Sequence, residues 1–370
     1  MKKKNILVNT LVLALAVQAA APVTVQAFQI PDVIQDYIDQ GTGDDNSEQG
    51  RSKEFSILEK AIVEIMKSDW YKNTDAEGRK KKIAELLAST GYIDEDLAEQ
   101  GIDAVLNFEF HGQKISILLD DYTRELYEQE EGEEYEQRDD ITDSLDKERQ
   151  ALILYGLGFD EFEYALDYST AKWNQNGLKT TMNPSCTVED FKTSLKGKDL
   201  IVIEEHGCMS EQDEPVIVTE DQYDSDSCQE YQEDLDSERL AICISEEGTQ
   251  YCLTPSFFEY YYGGGQLQDS FVWIGSCYGA SNSKLVDAFM DTGASAVVGH
   301  SESVYTMYDY NMLNTVVDGM ISGTSSSEAF QEAKDQWGDN DEVFATEYMQ
   351  LDYKDSPVSY PNLTGDICWK

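Results

Sequence analysis

Basic residues are scarce: 27 Lys+Arg stand against 73 Asp+Glu, a formal charge of −46 at neutral pH. A surface so acidic repels polyphosphate, which excludes nucleic acid and anionic membrane surfaces as natural partners. What it implies instead is a heavily solvated, soluble exterior. Histidine is scarcer still, with 3 in 370 residues, so imidazole chemistry is confined to His111, His206 and His300. The 7 cysteines include no Cys-x-x-Cys pair, the usual mark of a zinc site. The glycine run at 263–265 has no lysine and helix behind it, as a phosphate loop would need. Beyond the first 27 residues, no apolar run is long enough to span a bilayer.

What is present begins with an export signal. Lys2, Lys3 and Lys4 form a basic head, residues 6–21 an apolar stretch, and Val25-Gln26-Ala27 a small-residue cleavage site. Residues 1–27 therefore read as a signal peptide of an extracellular bacterial protein. No cysteine lies near the cut, so a lipid anchor is not expected. Residues 28–53 are polar, with Gly41-Thr42-Gly43-Asp44-Asp45-Asn46 inside them, and read as a flexible leader. Residues 54–124 read as a small helical-plus-hairpin domain. Ile57, Leu58, Ala61, Ile62, Ile65 and Met66 make one helical stripe, Thr74 to Glu77 a capping box for a second helix, and Leu106 to Leu119 two alternating strands around His111-Gly112. That histidine sits at a turn and reads as a surface residue. Residues 125–148, with Glu130, Glu131, Glu133, Glu134 and Glu136, form a self-repelling acidic linker where a precursor is open to cutting.

From residue 149 to 345 strands alternate with helices. Apolar runs at Ala151 to Leu157, Leu178 to Met182, Leu200 to Ile203, Phe271 to Ile274 and Ala296 to Gly299 are separated by helical patterns. Such alternation predicts an α/β fold, a mostly parallel sheet with helices on both faces, preceded by the small α+β unit. Residues 215–219 and 240–244 are expected to be peripheral strands, and 346–370 a C-terminal extension.

Two of the runs end in chemistry. Leu200-Ile201-Val202-Ile203 leads to His206-Gly207, and Phe271-Val272-Trp273-Ile274-Gly275-Ser276 leads to Cys277-Tyr278-Gly279. The carboxyl ends of neighbouring parallel strands share one edge, where loops build sites. An imidazole within reach of a thiol takes its proton and makes it a strong nucleophile. His206 is thus the expected base and Cys277 the nucleophile, with the amides of Gly207 and Cys277 as oxyanion donors.

These paired blocks resemble those of the caspase-like cysteine peptidases, the group of caspases, legumains, clostripains and gingipains, and most of all the bacterial secreted members. The resemblance covers about residues 150–340. It implies an open sheet with a Cys-His dyad at its carboxyl edge, peptide-bond hydrolysis on a polypeptide substrate, and neither cofactor nor catalytic metal. Gly275-Ser276 stand where caspases carry Gln-Ala, and Glu205 where they carry serine. The interval between His206 and Cys277 is long and must hold an insertion. A chain of this kind that kept the sheet and lost the chemistry would be an extracellular binding or adhesion protein, the alternative reading.

Three further expectations follow. With Cys277 set aside, Cys186, Cys208, Cys228, Cys243, Cys252 and Cys368 are an even set that in an exported protein invites disulfides, with no way to choose a pairing. A zinc site from His206, Cys208 and two more cysteines is the rival to the dyad. The acidic surplus favours Arg or Lys before the cleaved bond, with Asp160 as a partner for it.

Overall fold

The computed structural model describes residues 48–72, 74, 76–90, 105–110, 113–119, 141, 144–157, 160–210, 213–223, 227–245, 248–341 and 359–369. The expected signal peptide, His111-Gly112 and most of the acidic linker lie outside them. In chain order the elements are α1 (Glu48–Met66), α2 (Asp69–Lys72), α3 (Ala76–Thr90), β1 (Val105–Phe110) and β2 (Gln113–Leu118). Next come β3 (Arg149–Tyr155), α4 (Asp160–Gln175), β4 (Leu178–Asn183), α5 (Val188–Thr193), β5 (Leu200–Glu204), β6 (Gly207–Met209) and β7 (Pro215–Gln222). The remainder is α6 (Ser227–Asp236), β8 (Leu240–Ser245), β9 (Gly248–Leu253), α7 (Pro255–Tyr262), β10 (Phe271–Ile274), α8 (Lys284–Asp291), β11 (Ala296–His300), α9 (Thr306–Ser322), α10 (Ser326–Trp337) and β12 (Pro361–Gly365).

The five expected runs form one sheet with a sixth strand, β12, in the order β12-β11-β10-β5-β3-β4. The last five are parallel, and β12 pairs antiparallel to β11. Strands β5, β10 and β11 are buried along their length and β3 from Ala151 onward, yet their side chains still alternate between two cores, because the pleat sends neighbours to opposite faces. Ile153, Val202, Trp273 and Val298 face α4, α9 and α10 through Phe162, Trp173, Leu313, Val317 and Phe330. Leu154, Ile203, Ile274 and Val297 face α5, α7 and α8 through Phe191, Phe258 and Phe289. Helices on both faces of a mostly parallel sheet make the fold α/β.

The helix ends follow local chemistry. Thr187 caps α5 with a reciprocal box to Asp190, which satisfies two otherwise orphaned N–H groups. Gly323 ends α9 in the left-handed region at φ 99°, where a side chain would be strained. α9 starts at Thr306, and its first turns are buried at Thr306, Tyr308, Asp309 and Tyr310 although several of these are polar.

The segment between His206 and Cys277 supplies four strands, β6 to β9, of a second six-stranded sheet, ordered β1-β2-β8-β9-β7-β6. The expected hairpin is present in β1 and β2, but it is no sheet of its own: β2 pairs in parallel with β8, Ile115 opposite Ile242 and Ile117 opposite Ile244. The expected small unit at 54–124 therefore shares a continuous sheet and a core with the insertion, Ile62, Ile83, Phe108 and Ile117 packing with Ile242 and Ile244. Strands β7 and β8, expected at the periphery, lie inside this sheet. Helix α1 opens at Glu48, within the stretch expected to be leader, and β12 carries the parallel sheet past the boundary expected at 345.

Candidate active site

Strands β5 and β10 are direct neighbours, with Ile201 opposite Val272 and Ile203 opposite Ile274. In a parallel pair, positions equally far beyond paired residues reach the same level of the edge. His206 stands three residues beyond Ile203 and Cys277 three beyond Ile274, so the register brings both turns out side by side. Contact bears this out: a β-carbon built on Gly207 would overlap the carbonyl oxygen of Cys277 and stand 2.9 Å from Ser276 Cβ. Only glycine allows so close an approach of two backbones. Further along, the Ser281 hydroxyl donates to Met209 Sδ at 3.0 Å and Asn282 Nδ2 donates to the Asp213 carbonyl at 2.9 Å. The two loops form one wall.

Cys277 sits at a strained corner. Tyr278, next to it, has φ 62°, a left-handed value rare for an aromatic residue and frequent at functional turns. The Tyr278 N–H donates to the Glu302 carbonyl at 3.1 Å and the Val304 N–H to Cys277 Sγ at 3.5 Å. Burial pushes the Cys277 thiol up, against the Val304 N–H and Ser303, which pull it down. At neutral pH the group rests as S–H. Among the described residues, no backbone carbonyl accepts from the Cys277 N–H.

His206 is half-buried and bridges the two sheets, since β5 ends at Glu204 and β6 begins at Gly207. Its carbonyl accepts from the Val218 N–H at 2.9 Å. Gly207 is opposite Ile217 in the same antiparallel ladder. Alternation of that ladder turns the Gly207 N–H away from β7.

Beneath the turns lies a buried acidic group. Asp309 Oδ1 accepts from Trp273 Nε1 at 2.9 Å and from His300 Nε2 at 2.5 Å. Burial and then the neighbouring Asp309 push Glu204 well above the carboxyl range, so its side chain is a neutral acid. His300, at the end of β11, is wholly buried; it anchors Asp309 and does not reach the cleft. Glu205 turns to the other side, where burial pushes it up and Cys186 and Glu220 are its neighbours.

The chain matches no protein-family model and no curated protein. The side chain of the expected partner Asp160 lies outside the described residues. The glycines at 263–265 follow α7, whose Pro255, Phe257, Phe258 and Tyr262 are buried; they close a helix. The described cysteines 186, 208, 243, 252, 277 and 368 are free thiols, and Cys228 lies outside the described side chains. Three of them, Cys208, Cys243 and Cys252, converge. Residue-by-residue reading also misses Ser303, Val304 and Glu302, which follow His300 and wrap the Cys277 turn. A polar stretch after an apolar strand is the one sign they carry.

Proposed function

We propose that the protein is a secreted, caspase-like cysteine endopeptidase, exported by its first 27 residues. The observation that carries this reading is the shared level of His206 and Cys277 beyond adjacent parallel strands, with Gly207 against the Cys277 carbonyl. The open sheet with both loops at its carboxyl edge is the arrangement the family resemblance implies.

In this reading His206 takes the proton of the Cys277 thiol as sulfur attacks the scissile carbonyl. The oxyanion that forms is met by the N–H groups of Gly207 and Cys277. The proton then passes from His206 to the leaving amine, and a water activated by the same imidazole releases the acyl group from sulfur. Because burial raises the thiol, attack and deprotonation are coupled, rather than beginning from a resting ion pair. Cleavage after Arg or Lys suits the −46 charge, which draws cationic peptides toward the surface.

That same upward shift favours a second reading, a non-catalytic extracellular binding protein. A thiol-directed peptide probe decides between them. The peptidase is expected to be labelled at Cys277, with labelling lost in Cys277→Ala and strongly reduced in His206→Ala. Cys368 is exposed, so Cys368→Ser supplies a background free of surface reaction. Labelling confined to Cys368 would overturn the peptidase reading. Equal turnover of peptides with acidic or basic residues before the cut would overturn the specificity.

A further inference from the structure

Cys208, Cys243 and Cys252 come from three strands of the second sheet, β6, β8 and β9. Cross-strand partners share a face, and so do residues two apart on one strand. Cys208 is opposite Val216, Val218 opposite Cys252, and Cys252 opposite Ala241, two residues before Cys243. One chain of pairings thus puts all three thiols on one side of the sheet. There they form a buried cluster with Val216, Val218 and Ala241, each sulfur-bearing residue fully inaccessible. The three Sγ atoms lie within 4.8 Å of one another.

We propose that this cluster is a binding site for a thiophilic metal ion, zinc, held by the sulfurs of Cys208, Cys243 and Cys252. Sulfurs about 2.3 Å from a tetrahedral zinc stand about 3.8 Å apart. The observed spacing needs a contraction of about 1 Å at most from that limit, within reach of side-chain rotation. Thiolate sulfur selects soft ions, which sets calcium and magnesium aside. Binding exchanges three S–H protons, released to water, for three Zn–S bonds. A three-sulfur set leaves one position of the ion to a non-protein ligand such as water.

Placement gives the site a structural purpose. β6 is an edge strand of three residues, too short to be held firmly by its ladder alone. A metal clip would tie it to β8 and β9. Cys208 is two residues from His206, so the clip would also fix the histidine turn beside Cys277. The proposal goes beyond the peptidase reading and stands or falls apart from it.

The experiment is metal analysis of the full-length protein, purified without chelator, followed by cobalt exchange. One zinc per chain is expected, with intense thiolate-to-cobalt absorption. Cys243→Ser and Cys252→Ser are expected to lose both, while Cys277→Ala and Cys368→Ser keep them. A chelator is expected to lower the melting temperature of the parent chain and to leave a variant with serine at all three positions unmoved. His206→Ala is expected to retain the metal; its loss there would overturn the three-sulfur ligand set. A metal-free protein that takes up no cobalt, or disulfide-linked peptides joining any two of the three cysteines, would overturn the site altogether.

Discussion

The α-carbon of Gly207 rests against the carbonyl of Cys277, and no β-carbon fits between them. Two loops from adjacent strands are thereby held backbone against backbone. Gly207→Ala forces the two backbones apart. Displacements of about 1 Å at a reacting centre cost about a hundredfold in rate, and overpacking costs about 1–3 kcal/mol. The variant is expected to fold, with a lower urea midpoint, and to label at Cys277 about a hundredfold more slowly. Labelling at the parent rate would show that the Gly207 contact does not set the site.

Asp309 is the buried acceptor on which the sheet's carboxyl edge is built. Removing its carboxylate leaves Trp273 Nε1 and His300 Nε2 without their partner, and each orphaned buried donor costs about 1–3 kcal/mol. The loss is partly offset, because Glu204 no longer has that carboxylate beside it. Asp309→Ala is therefore expected to destabilise the fold by about 2–4 kcal/mol in chemical denaturation. Asp309→Asn, which keeps an acceptor oxygen, should lose less. An Asp309→Ala protein as stable as the parent would show that the carboxylate is not what holds the two rings.

Glu302 gives the region a pH dependence. Burial raises its carboxyl from 4.5 to about 7. Between those values the unfolded chain has released its proton while the folded chain still holds it. Stability should therefore fall as pH rises from 4.5 to 7, and the Glu302 contribution should level off above that. Glu302→Gln, which cannot ionise, is expected to match the parent at pH 4 and to be the more stable at pH 8. Identical melting curves for both proteins at pH 8 would contradict the shift.

The parallel sheet is legible because its central strands are short runs of Leu, Ile, Val or aromatic residues followed by a turn, with helix-period stretches between. His206 and Cys277 stand out for the same reason: each follows four apolar residues at a fixed interval. The second sheet does not announce itself. It is assembled from segments on either side of the acidic linker, and the parallel β2–β8 pairing leaves no local mark, since Ile115 and Ile242 meet only in the fold. β12 is nearly as silent, for Pro361-Asn362-Leu363-Thr364-Gly365 has little β-propensity and is held by its place at the sheet edge. Cys243 and Cys252 meet through the antiparallel register of β8 and β9, so irregular spacing in the chain hides a regular arrangement across strands. α7 carries a start signal in Pro255 at its first turn, although three tyrosines and three glycines crowd its end.

Asp234 ties the insertion to the parallel sheet, and its removal is the most direct test of that tie. Its carboxylate on α6 meets Lys192 Nζ of α5 at 2.8 Å and Arg239 Nε at 2.5 Å, with the Tyr261 hydroxyl of α7 at 2.9 Å from both oxygens. Burial alone would raise this carboxyl, but the hydrogen bonds from Lys192, Arg239 and Tyr261 prevail and hold it below 3.8. Its contribution is accordingly complete above pH 3.8 and lost as pH falls through the lower folded value. Lys192 and Arg239 side chains are only 14% and 10% exposed, so Asp234→Ala strands two cations away from water. Breaking a buried pair in this way costs about 3–5 kcal/mol. Equilibrium urea unfolding at pH 7 is expected to show a loss of that size. In acid, where the parent carboxylate is itself neutralised, the two proteins should converge. A deficit that persisted undiminished at low pH would locate the damage in packing rather than in charge. That outcome would leave the α5–α6 contact, and with it the seating of the second sheet beside His206, to the aromatic rings of Tyr231 and Tyr261, over which Lys192 lies at 4.8 and 5.0 Å.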